Sequence, residues 1–163
     1  MRIQFAPVVF LISAAIASAV ELQKVANFPE QQITGVGVST KSGRIFVNFP
    51  YWSDDHSISV AEIVNGQPKA FPNDEWNTPG PAGSHFVCVQ SVIVDDQDNL
   101  WVLDPAAPKM QEIVKGGPKL VKIDLATNQV VQTIPFGEDV APKKSYLNDV
   151  RIDTRTNTAF ITE

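Results

Sequence analysis

Short apolar runs, broken by turns that carry Gly, Asn or Asp, set the rhythm of this chain. Thr34-Gly-Val-Gly-Val-Ser39 leads through a turn into Arg44-Ile-Phe-Val-Asn-Phe49. Gln90-Ser-Val-Ile-Val-Asp-Asp96 leads through a turn into Leu100-Trp-Val-Leu-Asp104, and Asn148-Asp-Val-Arg-Ile-Asp153 leads into Thr158-Ala-Phe-Ile-Thr162. The aromatics Phe46, Trp101 and Phe160 hold the same place in each unit, 55 and then 59 residues apart. A repeat of short strands at that spacing predicts propeller blades. The third unit shows two strands only. The chain therefore reads as about two and a half blades, the front portion of a larger all-β protein.

Within the repeats, period-two alternation and turn chemistry place the strands. Blade one is expected over about 33–72. Its inner strand carries Gly35 and Gly37, residues that permit close backbone approach. Its third strand is expected over Ser57–Val64, with Ile58, Val60 and Ile63 facing inward. Asn65-Gly66 predicts a tight hairpin into Gln67–Phe71. Blade two is expected over about 86–136. Phe86-Val-Cys-Val-Gln90 reads as strand interior, and Lys119–Leu125 and Gln129–Ile134 as the outer pair. Ahead of the blades, Val20–Ala26 alternates like a half-buried strand whose partner would be a final blade, so it is expected as a lone strand or a loosely placed segment outside blade one. Pro72–Ser84 and Pro105–Pro118 are long connections, the kind that decorate one face of a sheet protein.

The N-terminus changes the picture of the whole. Met1-Arg-Ile-Gln4 is a short positive start, Phe5–Ile16 is apolar apart from Ser13, and Ala17-Ser-Ala19 is a small-x-small cleavage signal. Residues 1–19 thus read as a secretory signal peptide, leaving 20–163 as part of one propeller domain. The apolar run is short for a bilayer span, and no second one follows. The expected location is extracellular, free of the membrane after cleavage. With 13 basic against 18 acidic side chains and no basic stripe, the chain lacks the electrostatic footprint of a nucleic-acid binder. Cys88 is the sole cysteine, so no internal disulfide can form, and its apolar setting predicts a buried, inert thiol.

Several runs taken in order resemble the major royal jelly protein / Yellow family. They are Gly35-Val-Gly-Val-Ser39, Gly43-Arg-Ile-Phe-Val-Asn-Phe-Pro50, Ser59-Val-Ala-Glu-Ile63, Phe71-Pro-Asn-Asp-Glu-Trp-Asn77, Val89-Gln-Ser-Val92, Asn99-Leu-Trp-Val-Leu-Asp104 and Tyr146-Leu-Asn-Asp-Val-Arg-Ile152. The resemblance spans roughly residues 30–163. It implies a secreted, six-bladed propeller of about twice this length. A more distant similarity connects the chain to gluconolactonase-type propellers, which hold a divalent ion such as calcium on a Glu, an Asn and an Asp of the inner strands. Aligned on those strands, Asn148 falls where the metal-binding Asn would lie, and Gln90 where a substrate-contacting Asn would lie. Thr34-Gly35 occupies the neighbourhood of the Glu.

Gln90 and Asn148 are the candidate ligand-binding residues. Each opens an inner strand and carries an amide that can both donate and accept. Each also lies five residues before the Asp that closes its strand, Asp95 or Asp153, so both side chains should share one face. Asp149 reads as the source of a turn or inter-blade bond. Asp54-Asp-His56 reads as a solvated loop, His85 as a structural imidazole and Asp95–Asn99 as a hairpin turn. Trp52 and Trp76 stand in loops as pocket wall or blade cap.

Three functions remain open at this point. The first is a secreted propeller that binds a small aromatic or amine ligand in its central channel. The second is a propeller enzyme, either a lactonase-like hydrolase or a dopachrome-type isomerase. The third is a structural or nutritive secreted protein.

Overall fold

Ten strands build three antiparallel sheets in the computed structural model, which describes residues 21–163. The predicted leader over 1–19, and Val20, lie outside the described residues. The first sheet joins β1 (Gly35–Val38), β2 (Ile45–Asn48), β3 (Val60–Val64) and β4 (Gln67–Ala70) in chain order. The second joins β5 (Ser91–Val94), β6 (Asn99–Asp104), β7 (Lys119–Asp124) and β8 (Gln129–Pro135) in the same way. The third pairs β9 (Asp149–Asp153) with β10 (Thr158–Thr162). These are two complete up-and-down blades and a two-stranded third sheet, a partial β-propeller. The hairpin chemistry is visible locally. Asn65 and Gly66 both adopt positive φ, 51° and 77°, as a tight primed turn between right-twisted strands requires.

Apolar side chains fill the spaces between sheets. Phe46, Val60 and Phe71 of the first blade pack against Phe86, Val89, Val92, Leu100, Val121 and Ile123. Trp101, Leu103 and Leu120 on the far side of the second blade pack against Leu147 and Val150. The three aromatics at the shared repeat position record this stacking. Phe46 is 0% exposed and Trp101 6%, while Phe160 on β10 is 61% exposed. Burial on both faces also explains why β7 does not alternate. Leu120, Val121 and Ile123 are all buried, because each face of its sheet meets a neighbouring sheet.

Close approach near the axis depends on two glycines. A Cβ on Gly35 would lie 2.8 Å from the backbone nitrogen of Val92, and one on Gly37 would lie 3.2 Å from that of Val94. Side chains at these positions would push β1 away from β5.

A buried ion pair organises the second blade. Asp104 ends β6 and is fully buried; its carboxylate accepts from the backbone amides of Val87 (2.8 Å), Cys88 (3.0 Å) and Ala106 (2.9 Å). It also accepts from Lys119 Nζ at 2.7 Å, and that ammonium donates further to the carbonyls of Ala82 (2.9 Å) and Gly117 (3.0 Å). Every ammonium proton thus has an acceptor, the condition under which a buried pair is tolerated.

The structure departs from the sequence reading in three places. Phe86–Gln90 is an irregular approach to β5, because its amides at Val87 and Cys88 bond the Asp104 carboxylate and not a strand. Residues 21–26 form no strand and pair with none of β1–β4, the loosely placed alternative of the expectation, with Leu22 and Val25 exposed. The third strand begins at Val60, and Val60 and Ile63 face opposite sides. Val60 joins the interface with blade two, and Ile63 packs with Phe49 and Ala61 on the other face. Finally, the connection after blade one contains a single helical turn, α1 (Asp74–Asn77), capped by the Asn73 side chain accepting from the Trp76 amide at 3.0 Å.

Replacing Lys119 with Met strands the Asp104 carboxylate without its counter-charge. This should cost about 3–5 kcal/mol of stability in urea unfolding, and adding Asp104→Asn should recover part of the loss. Cys88 supplies a pH test. Burial pushes its thiol up to about 11 from 9.0. Between those values the unfolded chain has released a proton that the folded chain keeps, so stability falls as pH rises. The wild type should lose roughly 2 kcal/mol across that window relative to Cys88→Ala, as measured by denaturation at pH 8 and pH 11.

Candidate functional site

The inner strands β1, β5 and β9 stand side by side and line an open cavity of about 810 Å³. Each is preceded by a residue whose backbone amide bonds the far end of its blade's second strand. Thr34 bonds Asn48 O, Gln90 bonds Leu103 O and Asn148 bonds Thr162 O, at 3.4, 2.9 and 2.8 Å. These three residues are therefore equivalent by backbone geometry, and they mark one end of the cavity wall.

Their side chains form a linked set. The Thr34 hydroxyl accepts from Asn48 Nδ2 and donates to Gln90 O, both at 2.7 Å. Gln90 Nε2 donates to Asn148 Oδ1 at 3.2 Å. Tyr146 OH donates to Gln90 Oε1 at 3.0 Å and accepts from the indole Nε1 of Trp52 at 2.8 Å. Burial raises the Tyr146 phenol to about 12, outweighing the Trp52 hydrogen bond that stabilises its ionised form. It therefore stays protonated, and remains a donor, at ordinary pH. The Cys88 thiol lies 3.9 Å from the same hydroxyl.

The structure brings Gln90 and Asn148 together, on one face and in contact. Gln90 is buried by its neighbours, whereas Asn148 is exposed and lines the cavity. Asp149 reaches across to Ser91 Oγ at 2.8 Å and also binds Arg151 at 2.8 Å, so it ties two inner strands together. The sequence reading left Trp52 undecided and gave Tyr146 no role, yet both belong to this set. A signal was present: Tyr146 lies two residues before Asn148, just as Cys88 lies two before Gln90. Trp52 carried no such signal, because its partner is 94 residues away.

The remaining candidates separate. Asp54 pairs with Lys109, and Asp55 is exposed. The His56 ring stacks on Tyr51 at 4.8 Å, with its Nε2 3.1 Å from Phe49 O. Burial lowers the His56 pKa, which favours the neutral ring. His85 contacts Ser84 and Pro81 of its own loop. Asp95 closes its hairpin through the amides of Gln97 and Asn99 and through the Trp101 indole at 2.8 Å. Trp76 caps the core against Phe86.

Among the described residues, Thr34 and Gly35 supply no carboxylate where the first ligand of a divalent ion would lie, whereas Asn148 stands where the expected asparagine ligand would, its Oδ1 accepting one hydrogen bond from Gln90. No group of three His, Cys, Asp or Glu residues able to hold a metal occurs among the described residues.

Comparisons with known proteins bear on part of the chain. No curated protein sequence matches the chain. Among solved structures, it is similar to a protein of unknown function from Bacteroides caccae, with a TM-score of 0.49 and 12% identity over 82% of this chain and 39% of the other. It is also similar to a catalytically inactive virginiamycin B lyase from Staphylococcus aureus with quinupristin, with a TM-score of 0.36 and 13% identity over 84% of this chain and 51% of the other. The chain thus spans well under two thirds of either length. Residues 87–162 match the family model for the major royal jelly protein. That stretch contains the whole of blade two, the β9–β10 sheet, Gln90, Tyr146 and Asn148, and over it this chain carries the sequence pattern of the major royal jelly protein family.

Proposed function

We propose that this chain is part of a secreted propeller protein that binds a small aromatic or amine-bearing molecule at the end of the central channel marked by Asn148. The observation that carries this reading is the hydrogen-bonded set Trp52–Tyr146–Gln90–Asn148. It draws on a loop of blade one, the entry to blade two and the entry to the third sheet, and it leaves one exposed amide at the cavity wall. Convergence of a few fixed polar groups on a concave surface is the usual anatomy of a small-molecule site. The backbone bonds of the three strand starts lie within each sheet, so the side-chain set is what links one inner strand's entry to the next. Secretion rests on the predicted leader and on the family pattern. No helix among the described residues is long and apolar enough to cross a membrane.

In the full-length protein, Asn148→Ala should weaken binding of a channel ligand by about 1–3 kcal/mol while leaving the thermal unfolding midpoint near that of the wild type. Calorimetric titration with a panel of aromatic amines, phenols and lactones, beside a circular-dichroism melt, checks both halves. Unchanged affinity for every wild-type binder would return Asn148 to a purely structural role.

A further inference from the structure

We infer that the Asp149–Arg151 pair, beside Asn148 on the cavity wall, is a site for a zwitterion: an amine that also carries a carboxylate, as an α-amino acid does. The ligand's ammonium group meets the Asp149 oxygen that the protein leaves open, and its carboxylate meets the open N–H groups of Arg151. This deepens the channel-binding reading and rests on it, since it selects one class among the amine-bearing molecules proposed there.

Each member of the pair is engaged on one side only. Ser91 Oγ, the Val150 amide and Arg151 Nη1 all donate to Asp149 Oδ1, at 2.8 Å each. Asp149 Oδ2 has no protein partner among the described residues, and the side chain is 42% exposed. Burial pushes the Asp149 carboxyl up, but the hydrogen bonds from Ser91, Arg151 and the Val150 amide together hold it below the usual carboxylate range. The open oxygen is therefore charged at neutral pH. Arg151 Nη1 donates to Asp149 and, at 2.7 Å, to Val150 O. A guanidinium also carries N–H groups on Nε and on its other terminal nitrogen. In Arg151 these have no protein partner among the described residues, on a side chain 67% exposed.

The fold fixes where this half-open pair stands. Ser91 begins β5 and Asp149 begins β9, and both line the cavity with Arg151. The bond between them holds the carboxylate between two inner strands of the cavity wall. Two other carboxylates of the same wall are closed. Asp153 meets Arg155 through both oxygens, and Asp95 has both of its oxygens occupied within its own hairpin. Charge then selects the ligand. A simple amine gains the Asp149 oxygen but faces the Arg151 cation, and a simple carboxylate meets the reverse. A zwitterion satisfies both groups at once. Its two charges sit side by side, as do those of the pair, and neither is left against a like charge.

Calorimetric titration of the full-length protein with phenylalanine, phenethylamine and 3-phenylpropionate tests the inference. The three probes share a ring and a chain length and differ in charge. Phenylalanine should bind on the order of tenfold more tightly than either of the others. Asp149→Asn keeps an acceptor for Ser91 but removes the charge, so it should shrink the advantage of phenylalanine over 3-phenylpropionate. Arg151→Gln should shrink its advantage over phenethylamine. A general loss of stability cannot move these two comparisons separately. The Arg151 Nε resonance should shift with phenylalanine and not with phenethylamine. Failure of phenylalanine to bind, equal wild-type binding of phenylalanine and phenethylamine, or preferences unchanged in both variants overturns the inference and leaves the pair as a tie between strands. Amine binding that Asn148→Ala weakens, with no advantage for phenylalanine, keeps the channel reading and sinks the zwitterion site. Charge-dependent phenylalanine binding that Asn148→Ala leaves intact keeps the zwitterion site and removes Asn148 from it.

Discussion

The second blade is arranged around one carboxylate in the dry interior. Moving a charge out of water is costly, and attraction to a counter-ion offsets that cost only when the remaining hydrogen-bonding capacity is filled. Asp104 and Lys119 meet this condition by recruiting backbone from two connections: Ala82 and the Val87–Cys88 bend ahead of β5, and the Ala106 and Gly117 ends of the long loop between β6 and β7. None of these segments has a ladder of its own. The ion pair replaces the sheet as the organiser of irregular chain, and it does so immediately before Gln90. The position of that glutamine is thus a downstream result of the constraint on Asp104.

How much was legible in the sequence follows from the range of each interaction. The strand pairs and their turns were readable because alternation and Asn-Gly or Asp-Asn chemistry act within a few residues. The glycines of β1 were readable as points of close approach, and a Cβ on Gly35 would indeed crowd the Val92 backbone. Phe86–Gln90 was misread because its apolar composition is that of a strand, while its amides are claimed by a carboxylate 16 residues onward. Residues 21–26 carry an alternating pattern without a surface to lie against, and they stay outside every sheet. At the site, equal register puts Gln90 and Asn148 on one face, where their amides meet at 3.2 Å, although Asn148 lines the cavity and Gln90 is buried behind it. Trp52 stayed hidden because a loop tryptophan has no period to betray which distant hydroxyl it will meet.

Two kinds of order meet in this molecule. The apolar interfaces between sheets are non-directional and specify which faces touch. The polar links between inner strands are directional and fix how they touch: Thr34 to Gln90, Gln90 to Asn148, Ser91 to Asp149 and, at the other end, Thr154 to Asp96. The apolar contacts could tolerate a small slide of one sheet over the next, whereas the polar links would lose their geometry. This division of labour lets a stack of similar repeats present dissimilar, accurately placed groups along a common wall.

The glycines of β1 also define a taper. Near the axis, Gly35 and Gly37 contribute almost no volume between the first two sheets; farther out, Phe46, Phe71, Phe86 and Leu125 fill the same gap. Neighbouring sheets are therefore held as a wedge, narrow inside and wide outside. Side-chain volume, graded along the radius, is what makes a row of flat units curve. The angle of that wedge is a steric quantity, so the curvature of the ring is written in residue sizes and not in any hinge.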